Sequence, residues 1–519
     1  MSASTDTTPY WNAEAPFPRF AKLSADTRAD VVVIGGGITG LTSAYLLART
    51  GRSVVLIERQ RCASIDTGHT SAHLTMVTDV RLTELVKQIG QTHAQAVWDG
   101  GVAAIAEIER IAGEHGIDAG FEWIPGYLHA PFDATGDERE SLASDAELAQ
   151  RLGFDVEFVD AAPLVGRPGV RFEGQARMHP RRYLAGVAKA FIDAGGRIYE
   201  HTAADEFIDP AGRRSSVAEN RPPSIKANGH TIQCDDVVIA THTPLVGFGG
   251  EAGAALFQTK LALYTSYVVA GRVPHGTLDD ALWWDTADPY RYLRIEPGRQ
   301  HDVVIFGGED HKTGQEAGTT ACFRRLERQL TTLVPGVELT HRWSGQVIET
   351  PDGLPYIGST ADRQYAATGF SGNGLTFGTL AGLIITDAIE GRVNPWADLF
   401  APERKVLGRS LWDYVKENAD YPYYMIRDRL VGAEARSLRS VARGQGRIVD
   451  YRGSKVAAYR EPAGTLTLRS AICPHMGCVV AWNGAERTWD CPCHGSRFEP
   501  EGRVISGPAE SPLEKIEGV

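Results

Sequence analysis

An apolar run near the amino terminus predicts a strand that is buried on both faces. Asp30–Ile34 is almost entirely Val and Ile, without the polar alternation of a half-exposed strand. It leads into the glycine-rich loop Gly35–Gly40, after which apolar residues recur at helical spacing until Gly51. Ser53–Ile57 is a second apolar run and ends at Glu58. The pattern predicts a βαβ unit.

Similar patterns recur far downstream in the chain. Asp236–Thr241 and Tyr365–Thr368 are short apolar runs typical of strands. A second glycine-rich loop, Gly369–Gly374, separates the latter from an apolar helical stretch, Leu375–Ile389. The sequence therefore predicts a second helix whose amino terminus faces a ligand.

The carboxyl-terminal part has a different pattern. Short runs alternate there with Gly, Asp and Pro turns, which is typical of a small all-β domain; the runs are Gly446–Tyr451, Lys455–Tyr459 and Thr465–Leu468. The aromatic and charged stretch Trp412–Leu430 predicts a helical connector. We therefore expect a large domain over residues 1–410, a connector over 411–436 and the all-β domain over 437–519.

Length and composition agree with several globular domains. At 519 residues the chain exceeds one compact core, and its hydrophobic share of 43% is ordinary. The net charge of −12, with no long run of like charges, argues against a nucleic-acid partner. No export signal and no apolar run long enough for a membrane span are visible, so we expect a cytoplasmic protein.

The first glycine loop has the spacing of a dinucleotide-binding fingerprint. Gly35 permits the tight turn, Gly37 allows a pyrophosphate to approach the backbone, and Gly40 allows close helix packing. Glu58 stands where an acid accepts a hydrogen bond from ribose. The motif alone leaves NAD and FAD open.

The motifs together resemble the D-amino-acid-oxidase-like FAD superfamily. The resemblance extends from about Ala29 to Gly391 and includes the His-Pro of Met178–Leu184. It implies an α/β FAD-binding domain, Rossmann-like and of the glutathione-reductase type, with an antiparallel-sheet substrate domain. The FAD-binding residues implied are Gly35, Gly37, Ile38, Thr39, Gly40, Glu58, Arg59, Gly372, Asn373, Gly374, Leu375 and Thr376.

Four of the seven cysteines cluster in the carboxyl-terminal part, which favours metal binding in a cytosolic chain. Two loops, Cys473–Cys478 and Cys491–Ser496, resemble the Rieske signature, and structural zinc is the alternative. In a Rieske [2Fe–2S] centre, two thiolates bind one iron and two imidazoles bind the other. The resemblance implies the ligands Cys473, His475, Cys491 and His494.

The Rieske resemblance also implies two features around the cluster. In the cytochrome bc-complex type, the cysteines that match Cys478 and Cys493 form a disulfide, so we expect that bridge here. Ser496 is expected to hydrogen-bond a bridging sulfide. Phe498 stands where high-potential members have Tyr, which implies a lower reduction potential.

A flavin accepts two electrons and a [2Fe–2S] cluster carries one, so their fusion favours a dehydrogenase. The superfamily resemblance implies oxidation of a C–N bond, with a small molecule as substrate. Sarcosine-oxidase-like members hold a carboxylate with a Lys where this chain has Thr376, and Thr67–Thr75 contains no Arg. An amine is therefore favoured over an α-amino acid.

The resemblance implies further details of the reaction. His311 and Thr376 are the candidate catalytic residues. FAD is expected to be non-covalent, although a link through His69 or His73 is conceivable. We expect an external one-electron acceptor such as a ferredoxin or a cytochrome. The alternatives are a reductase whose flavin exchanges electrons with a soluble carrier, and a redox-sensing binding protein.

Overall fold

The computed structural model describes residues 5–133, 136–208, 223–244, 257–404, 424, 427, 433–435 and 437–516. The strands of these residues, in chain order, are β1 (Thr27–Arg28), β2 (Val31–Ile34), β3 (Val54–Ile57), β4 (Glu122–His129), β5 (Val156–Val159), β6 (Gly169–Arg177), β7 (Arg197–Tyr199), β8 (Ala204–Ile208), β9 (Ser224–Ala227), β10 (His230–Gln233), β11 (Asp236–Ile239), β12 (Ala262–Pro274), β13 (Leu282–Asp285), β14 (Tyr292–Glu296), β15 (His301–Lys312), β16 (Glu338–Glu349), β17 (Tyr356–Ala361), β18 (Gln364–Thr368), β19 (Gln445–Tyr451), β20 (Ser454–Arg460), β21 (Leu466–Ser470), β22 (Ala481–Asn483), β23 (Thr488–Asp490), β24 (Arg497–Phe498) and β25 (Val504–Ser506). The α-helices are Tyr10–Glu14, Ile38–Arg49, Leu82–Ile89, Gln91–Glu114, Arg139–Arg151, Pro180–Asp193, Thr319–Leu333, Gly374–Ile389 and Ala397–Phe400.

A six-stranded, mostly parallel sheet carries the glycine-rich loops. Its order is β17-β18-β11-β2-β3-β7, and only β17 at the edge runs antiparallel to its neighbour. The predicted βαβ unit is β2, helix Ile38–Arg49 and β3. Helix Gly374–Ile389 follows β18 and packs against helix Ile38–Arg49. Both glycine loops therefore lie at the carboxyl ends of parallel strands, β2 and β18, which flank β11, and α/β folds bind ligands at this edge.

Layers on both faces of this sheet explain the apolar runs. Val31 and Val33 belong to the core formed with the helices. Val32 and Ile34 pack in a second core, against the four-stranded sheet β1-β10-β9-β8. Since alternate residues of a strand point to opposite faces, a strand between two cores must be apolar throughout.

An eight-stranded sheet forms the substrate domain that the resemblance implied. Its order is β16-β12-β15-β14-β13-β4-β6-β5, and all its neighbours pair antiparallel except β13 and β4. Helix Thr319–Leu333 packs its apolar face, with Phe323 and Leu326, against Tyr267 and Val269 of β12. The expectation of an α/β domain with an antiparallel substrate domain is confirmed.

The carboxyl-terminal domain contains two small antiparallel sheets, β19-β20-β21 and β22-β23-β24-β25. The Cys473–Cys478 loop connects the two sheets, and the Cys491–Ser496 loop joins β23 to β24. The predicted connector over residues 411–436 lies mostly outside the described residues. The boundaries at 410 and 437 stay predictions.

Of the helices in the part of the chain that the structure describes, none has the combined length and apolar character that a bilayer crossing requires.

Candidate functional site

A cavity of about 700 Å³ extends along the carboxyl ends of the parallel strands. One end is formed by the first glycine loop. Gly35 has φ +109°, and a Cβ there would overlap the carbonyl oxygen of Ala240. A Cβ on Gly40 would overlap the carbonyl oxygen of Gly35. Only glycine therefore allows the turn and the close approach of the helix, as the fingerprint predicted.

Glu58 lies at this end of the cavity, at the end of β3. Its carboxylate accepts hydrogen bonds from the backbone N–H of Gly36 (2.8 Å) and of Gln60 (2.7 Å). Burial raises the pKa of Glu58, and these two N–H groups partly oppose that rise. The carboxylate is thereby fixed at the loop, where it could accept from a ribose hydroxyl.

The second glycine loop lines the other part of the cavity. Asn373 Nδ2 donates to Val77 O (2.9 Å), and Thr376 Oγ1 donates to Thr75 O (2.8 Å). These bonds connect the amino terminus of helix Gly374–Ile389 to the segment Thr75–Asp79. Ten of the twelve predicted FAD residues line the cavity: Gly35, Gly37, Ile38, Thr39, Glu58, Arg59, Gly372, Asn373, Gly374 and Leu375.

Two carboxyl groups line the same part of the cavity, that of Asp79 exposed to it and that of Asp310 partly exposed. Asp79 accepts a hydrogen bond from the Tyr290 hydroxyl (3.3 Å), and a Cβ on Gly372 would lie 2.8 Å from Asp79 Oδ2. Desolvation by the surrounding cavity wall raises the pKa of Asp79 to about 7, and the negative charge of Asp310 adds to the rise. Desolvation likewise raises the pKa of Asp310 to about 7. Groups that titrate near neutrality in a cavity are candidates for function.

His69 and His73, the two residues named above for a covalent flavin link, both line the cavity. His69 Nδ1 lies 2.8 Å from Ser344 O, and His73 Nε2 lies 3.1 Å from Leu293 O. Burial lowers the pKa of His73 to about 3, so this ring is neutral. Non-covalent FAD stays a prediction.

The two predicted catalytic residues lie beside the cavity. His311 Nε2 is 3.1 Å from the Tyr267 hydroxyl, and its Nδ1 is 2.9 Å from Lys312 O. The Thr376 hydroxyl donates to Thr75 O. Neither residue is among the described residues of the cavity wall, and their catalytic roles stay predictions.

The two predicted cluster loops come together in the carboxyl-terminal domain. The thiols of Cys473 and Cys491 are in hydrogen-bond contact, and both are buried. The rings of His475 and His494 lie edge to face, with centroids 5.0 Å apart. The thiols thus form one pair and the imidazoles another, which is the arrangement that a Rieske centre requires.

The hydrogen bond of His475 leaves its other ring nitrogen available for a metal. Gln258 Nε2 donates to Pro244 O (2.9 Å), so the amide oxygen of Gln258 faces His475 Nε2 at 3.0 Å. The imidazole must then donate through Nε2, which leaves the lone pair on Nδ1. Nδ1 is buried and has no hydrogen-bond partner, and burial lowers the pKa of His475 to about 4. A neutral imidazole with a free Nδ1 fits an iron ligand.

A disulfide joins Cys478 to Cys493 and connects the two loops, as expected. The Sγ atoms of both lie within 4.8 Å of Cys491 Sγ. Ser496 makes a hydrogen bond to the Cys473 sulfur. Phe498 is fully buried in the same core as the predicted ligands Cys473 and Cys491.

The cluster domain contacts the cavity wall directly, which the sequence did not predict. Gln346 of β16 lines the cavity, and its Nε2 donates to Gly495 O (2.8 Å) in the second cluster loop. Its Oε1 accepts from Ser506 Oγ (3.0 Å). Ser506 itself lines the cavity, and Arg59 donates to Ile505 O (2.8 Å).

Two protein families match the chain, and together they account for both domains. A model described as "FAD dependent oxidoreductase" matches residues 30–388, and a model described as "Rieske [2Fe-2S] domain" matches residues 433–517.

Individual relatives and a solved structure agree with these two family matches. The chain is 32% identical over 98% of its length to a "Putative Rieske 2Fe-2S iron-sulfur protein YhfW" of Bacillus subtilis (strain 168), covering 97% of that protein. It is 24% identical over 82% of its length to the gamma-glutamylputrescine oxidoreductase of Escherichia coli (strain K12), covering 99% of it. The structure of glycine oxidase from Geobacillus kaustophilus matches 73% of this chain and 100% of its own, with a TM-score of 0.56 and 21% identity, which shows a shared fold.

Proposed function

Because the chain belongs to the FAD-dependent oxidoreductase family and carries a Rieske [2Fe–2S] domain, we propose that it is a dehydrogenase of a small organic substrate. The reaction proposed is oxidation of the C–N bond of an amine. The electrons leave one at a time through the cluster to an external acceptor, such as a ferredoxin or a cytochrome.

The contact of Gln346 with both domains carries this proposal. The side chain lines the cavity and donates to the carbonyl oxygen of Gly495. Gly495 directly follows the predicted ligand His494. Gln346 is 6% exposed, so its amide is fixed between the cavity and the cluster loop. If the cluster only sensed redox state and controlled the binding of a partner, this contact with the cavity wall would serve no purpose.

The residues of the chain fit both groups. FAD would accept an electron pair from the substrate, and the cluster would carry single electrons onward. The two glycine loops and Glu58 would hold FAD. For the cluster, Cys473 and Cys491 would bind one iron, and His475 and His494 the other.

The choice of an amine rests on the charges of the cavity wall. Among the described lining residues, the only Lys or Arg residues are Arg59 and Arg61. Arg59 binds Ile505 O, and Arg61 Nε pairs with Glu200 (2.9 Å), so both lie at the Glu58 end. The described wall near Gly372 thus offers no cation for a substrate carboxylate. The amine-related name of the relative from E. coli agrees with this choice.

Anaerobic stopped-flow spectroscopy of the holoprotein tests the proposal. Mixing with a panel of amines should bleach the flavin first and then reduce the cluster, which is followed by its electron paramagnetic resonance. Flavin bleaching only by a reduced carrier protein would favour the reductase alternative. No response to either reagent would reject the dehydrogenase and favour redox sensing.

A further inference from the structure

One part of the cavity wall combines carboxylates with aromatic rings. Asp79 follows the segment Thr75–Thr78, and Asp310 lies on β15. Tyr290 and Tyr292 lie beside them, with ring centroids 5.8 Å apart and planes inclined by 54°. Both tyrosines line the cavity together with Trp284. Carboxylates and aromatic faces are the groups that attract organic cations.

Asp310 carries an unused hydrogen-bond acceptor. Ser266 hydrogen-bonds the Asp310 carboxylate, and the Ser266 Oγ also lies 2.7 Å from the Tyr292 hydroxyl. Asp310 Oδ1, however, is buried and has no hydrogen-bond partner. A buried carboxylate oxygen without a donor is costly, and a ligand N–H would relieve that cost. Because Asp310 is partly exposed and lines the cavity, its carboxylate can accept a hydrogen bond from a donor that binds there.

The position of Asp79 and Asp310 relative to the second glycine loop fits substrate binding. A Cβ on Gly372 would lie 2.9 Å from the Tyr290 hydroxyl and 2.8 Å from Asp79 Oδ2. Gly372 lies in the second glycine loop, Gly369–Gly374, which the family resemblance implies is part of the FAD site. A group held by Asp79 and Asp310 would therefore lie next to this loop and away from Arg59 and Arg61.

We propose that Asp79 and Asp310 recognise the ammonium group of a substrate that has no neighbouring carboxylate, with Tyr290 and Tyr292 packing against its apolar part. This inference rests on the proposed dehydrogenase function and specifies its substrate class. The two carboxylates are specificity-determining residues, because they favour a cation and repel a carboxylate.

Binding to the oxidised holoprotein tests the inference without turnover. Butylammonium, 1-butanol and butyrate are titrated at constant ionic strength, and the perturbation of the flavin absorption band reports binding. Butylammonium should bind at least about tenfold more tightly than the other two. Equal binding of all three, or tighter binding of butyrate, would overturn the inference.

Matched variants test whether the tighter binding of butylammonium depends on Asp310. Asp310→Asn should weaken butylammonium binding at least about tenfold and leave binding of 1-butanol unchanged. Glu309→Gln removes the same charge one residue away, from a carboxylate that pairs with Arg325 (2.6 Å) and is not among the described lining residues. At about pH 8, where Asp310 is mostly ionised in both proteins, Glu309→Gln should bind butylammonium as the unchanged protein does. Equal losses in both variants would contradict a specific role of Asp310.

Failure of the inference can be distinguished from failure of the proposed function. If an organic substrate without an ammonium group reduces the flavin and then the cluster, the dehydrogenase stands and the assignment of Asp79 and Asp310 is wrong. If Asp79→Asn lowers FAD occupancy while its remaining holoprotein keeps the charge preference of the unchanged protein, Asp79 serves the cofactor and not the substrate. If no organic substrate reduces the flavin, both proposals fail.

Discussion

Ser496 shows how a single hydroxyl group can set a property of the cluster. It hydrogen-bonds the sulfur of Cys473 and accepts from the backbone N–H of Ala509 (3.0 Å). A donor to a ligand sulfur stabilises the reduced, more negative cluster and raises its reduction potential. We expect Ser496→Ala to lower the midpoint potential by roughly 40–60 mV, since one hydrogen bond contributes about 1 kcal/mol and 59 mV corresponds to a factor of ten.

A redox titration followed by the electron paramagnetic signal of the cluster measures this change. Ser506→Ala is the matched control, because Ser506 donates to Gln346 Oε1 (3.0 Å) and not to a ligand sulfur. The control should keep the potential of the unchanged protein. An unaltered potential in Ser496→Ala would show that the hydroxyl does not act on the cluster.

The pKa values of Asp79 and Asp310 predict how ligand binding depends on pH. Desolvation by the cavity wall raises both pKa values from 3.8 to about 7, so the carboxyl groups ionise as the pH rises through neutrality. Butylammonium remains charged there, because its pKa resembles that of Lys at about 10.4. Its affinity should therefore increase between about pH 6 and pH 8. The titration described above, repeated across this range, measures it.

The other groups near the pair should not reverse this trend. Burial keeps the pKa of Tyr290 and Tyr292 above the ordinary value and that of His73 at about 3, so all three stay neutral. Negative charge from Glu309, Asp288 and Glu349, and positive charge from Arg294, act throughout the range. An affinity that is independent of pH, or that falls as the pH rises, would contradict the assignment.

Local motifs indicated some of the proposed functional residues and not others. Gly35, Glu58 and the cysteine loops carry their chemistry within a few adjacent positions, so their spacing alone indicates it. Asp79 and Asp310 are ordinary acids in sequence, separated by most of the substrate domain. Their proposed function depends on their common position in the cavity wall, which only the folded chain creates.

At the level of elements, Gly40 determines how closely helix Ile38–Arg49 approaches β2. A Cβ at this position would overlap the carbonyl oxygen of Gly35, which is backbone and cannot rotate away. We expect Gly40→Ala to displace the helix amino terminus, to cost about 1–3 kcal/mol of stability and to reduce FAD occupancy. The flavin-to-protein ratio after gel filtration measures the occupancy.

Gly113→Ala provides the control for Gly40→Ala. Gly113 lies in helix Gln91–Glu114, and a Cβ there would meet nothing within 4 Å. Alanine should stabilise this helix by about 0.5–1 kcal/mol and leave FAD occupancy unchanged. Full occupancy in Gly40→Ala would show that the loop tolerates the displacement.

The predictable elements are those whose burial is uniform along their length. The prediction over Asp30–Ile34 corresponds to β2, and Leu375–Ile389 corresponds to helix Gly374–Ile389, because both are apolar on every side. The third run of the all-β domain, Thr465–Leu468, is observed as Leu466–Ser470. Its burial is mostly partial, so the pattern does not define its ends.

At the scale of the whole molecule, the relation between the two domains could not be predicted. The sequence indicated that electrons leave through the cluster, but it did not indicate how they reach the cluster from the flavin. The interface is formed by single polar contacts from distant segments, such as Gln258 with His475 and Gln346 with Gly495. Isolated glutamines carry no periodic or motif signal, so only the assembled structure identifies them.

Gln346 and Gln315 offer a test of that interface. Both donate to backbone carbonyl oxygens of the second cluster loop, Gln346 to Gly495 (2.8 Å) and Gln315 to Pro492 (3.0 Å). Only Gln346 is among the described residues that also line the cavity. If electrons pass from the flavin to the cluster along this contact, Gln346→Leu should slow cluster reduction after flavin bleaching several-fold. Gln315→Leu should slow it less.

The two variants are compared by anaerobic stopped flow, with FAD occupancy and the cluster potential measured beside the rate. Gln346→Leu also leaves Gly495 O and Ser506 Oγ without their present partner, which weakens the interface. A slower rate with unchanged occupancy and potential separates a defect in coupling from loss of a cofactor. Because Gln315→Leu breaks a similar bond to the same loop, equal rates in the two variants would mean that Gln346 only holds the domains together. The route of the electrons would then have to lie elsewhere in the interface.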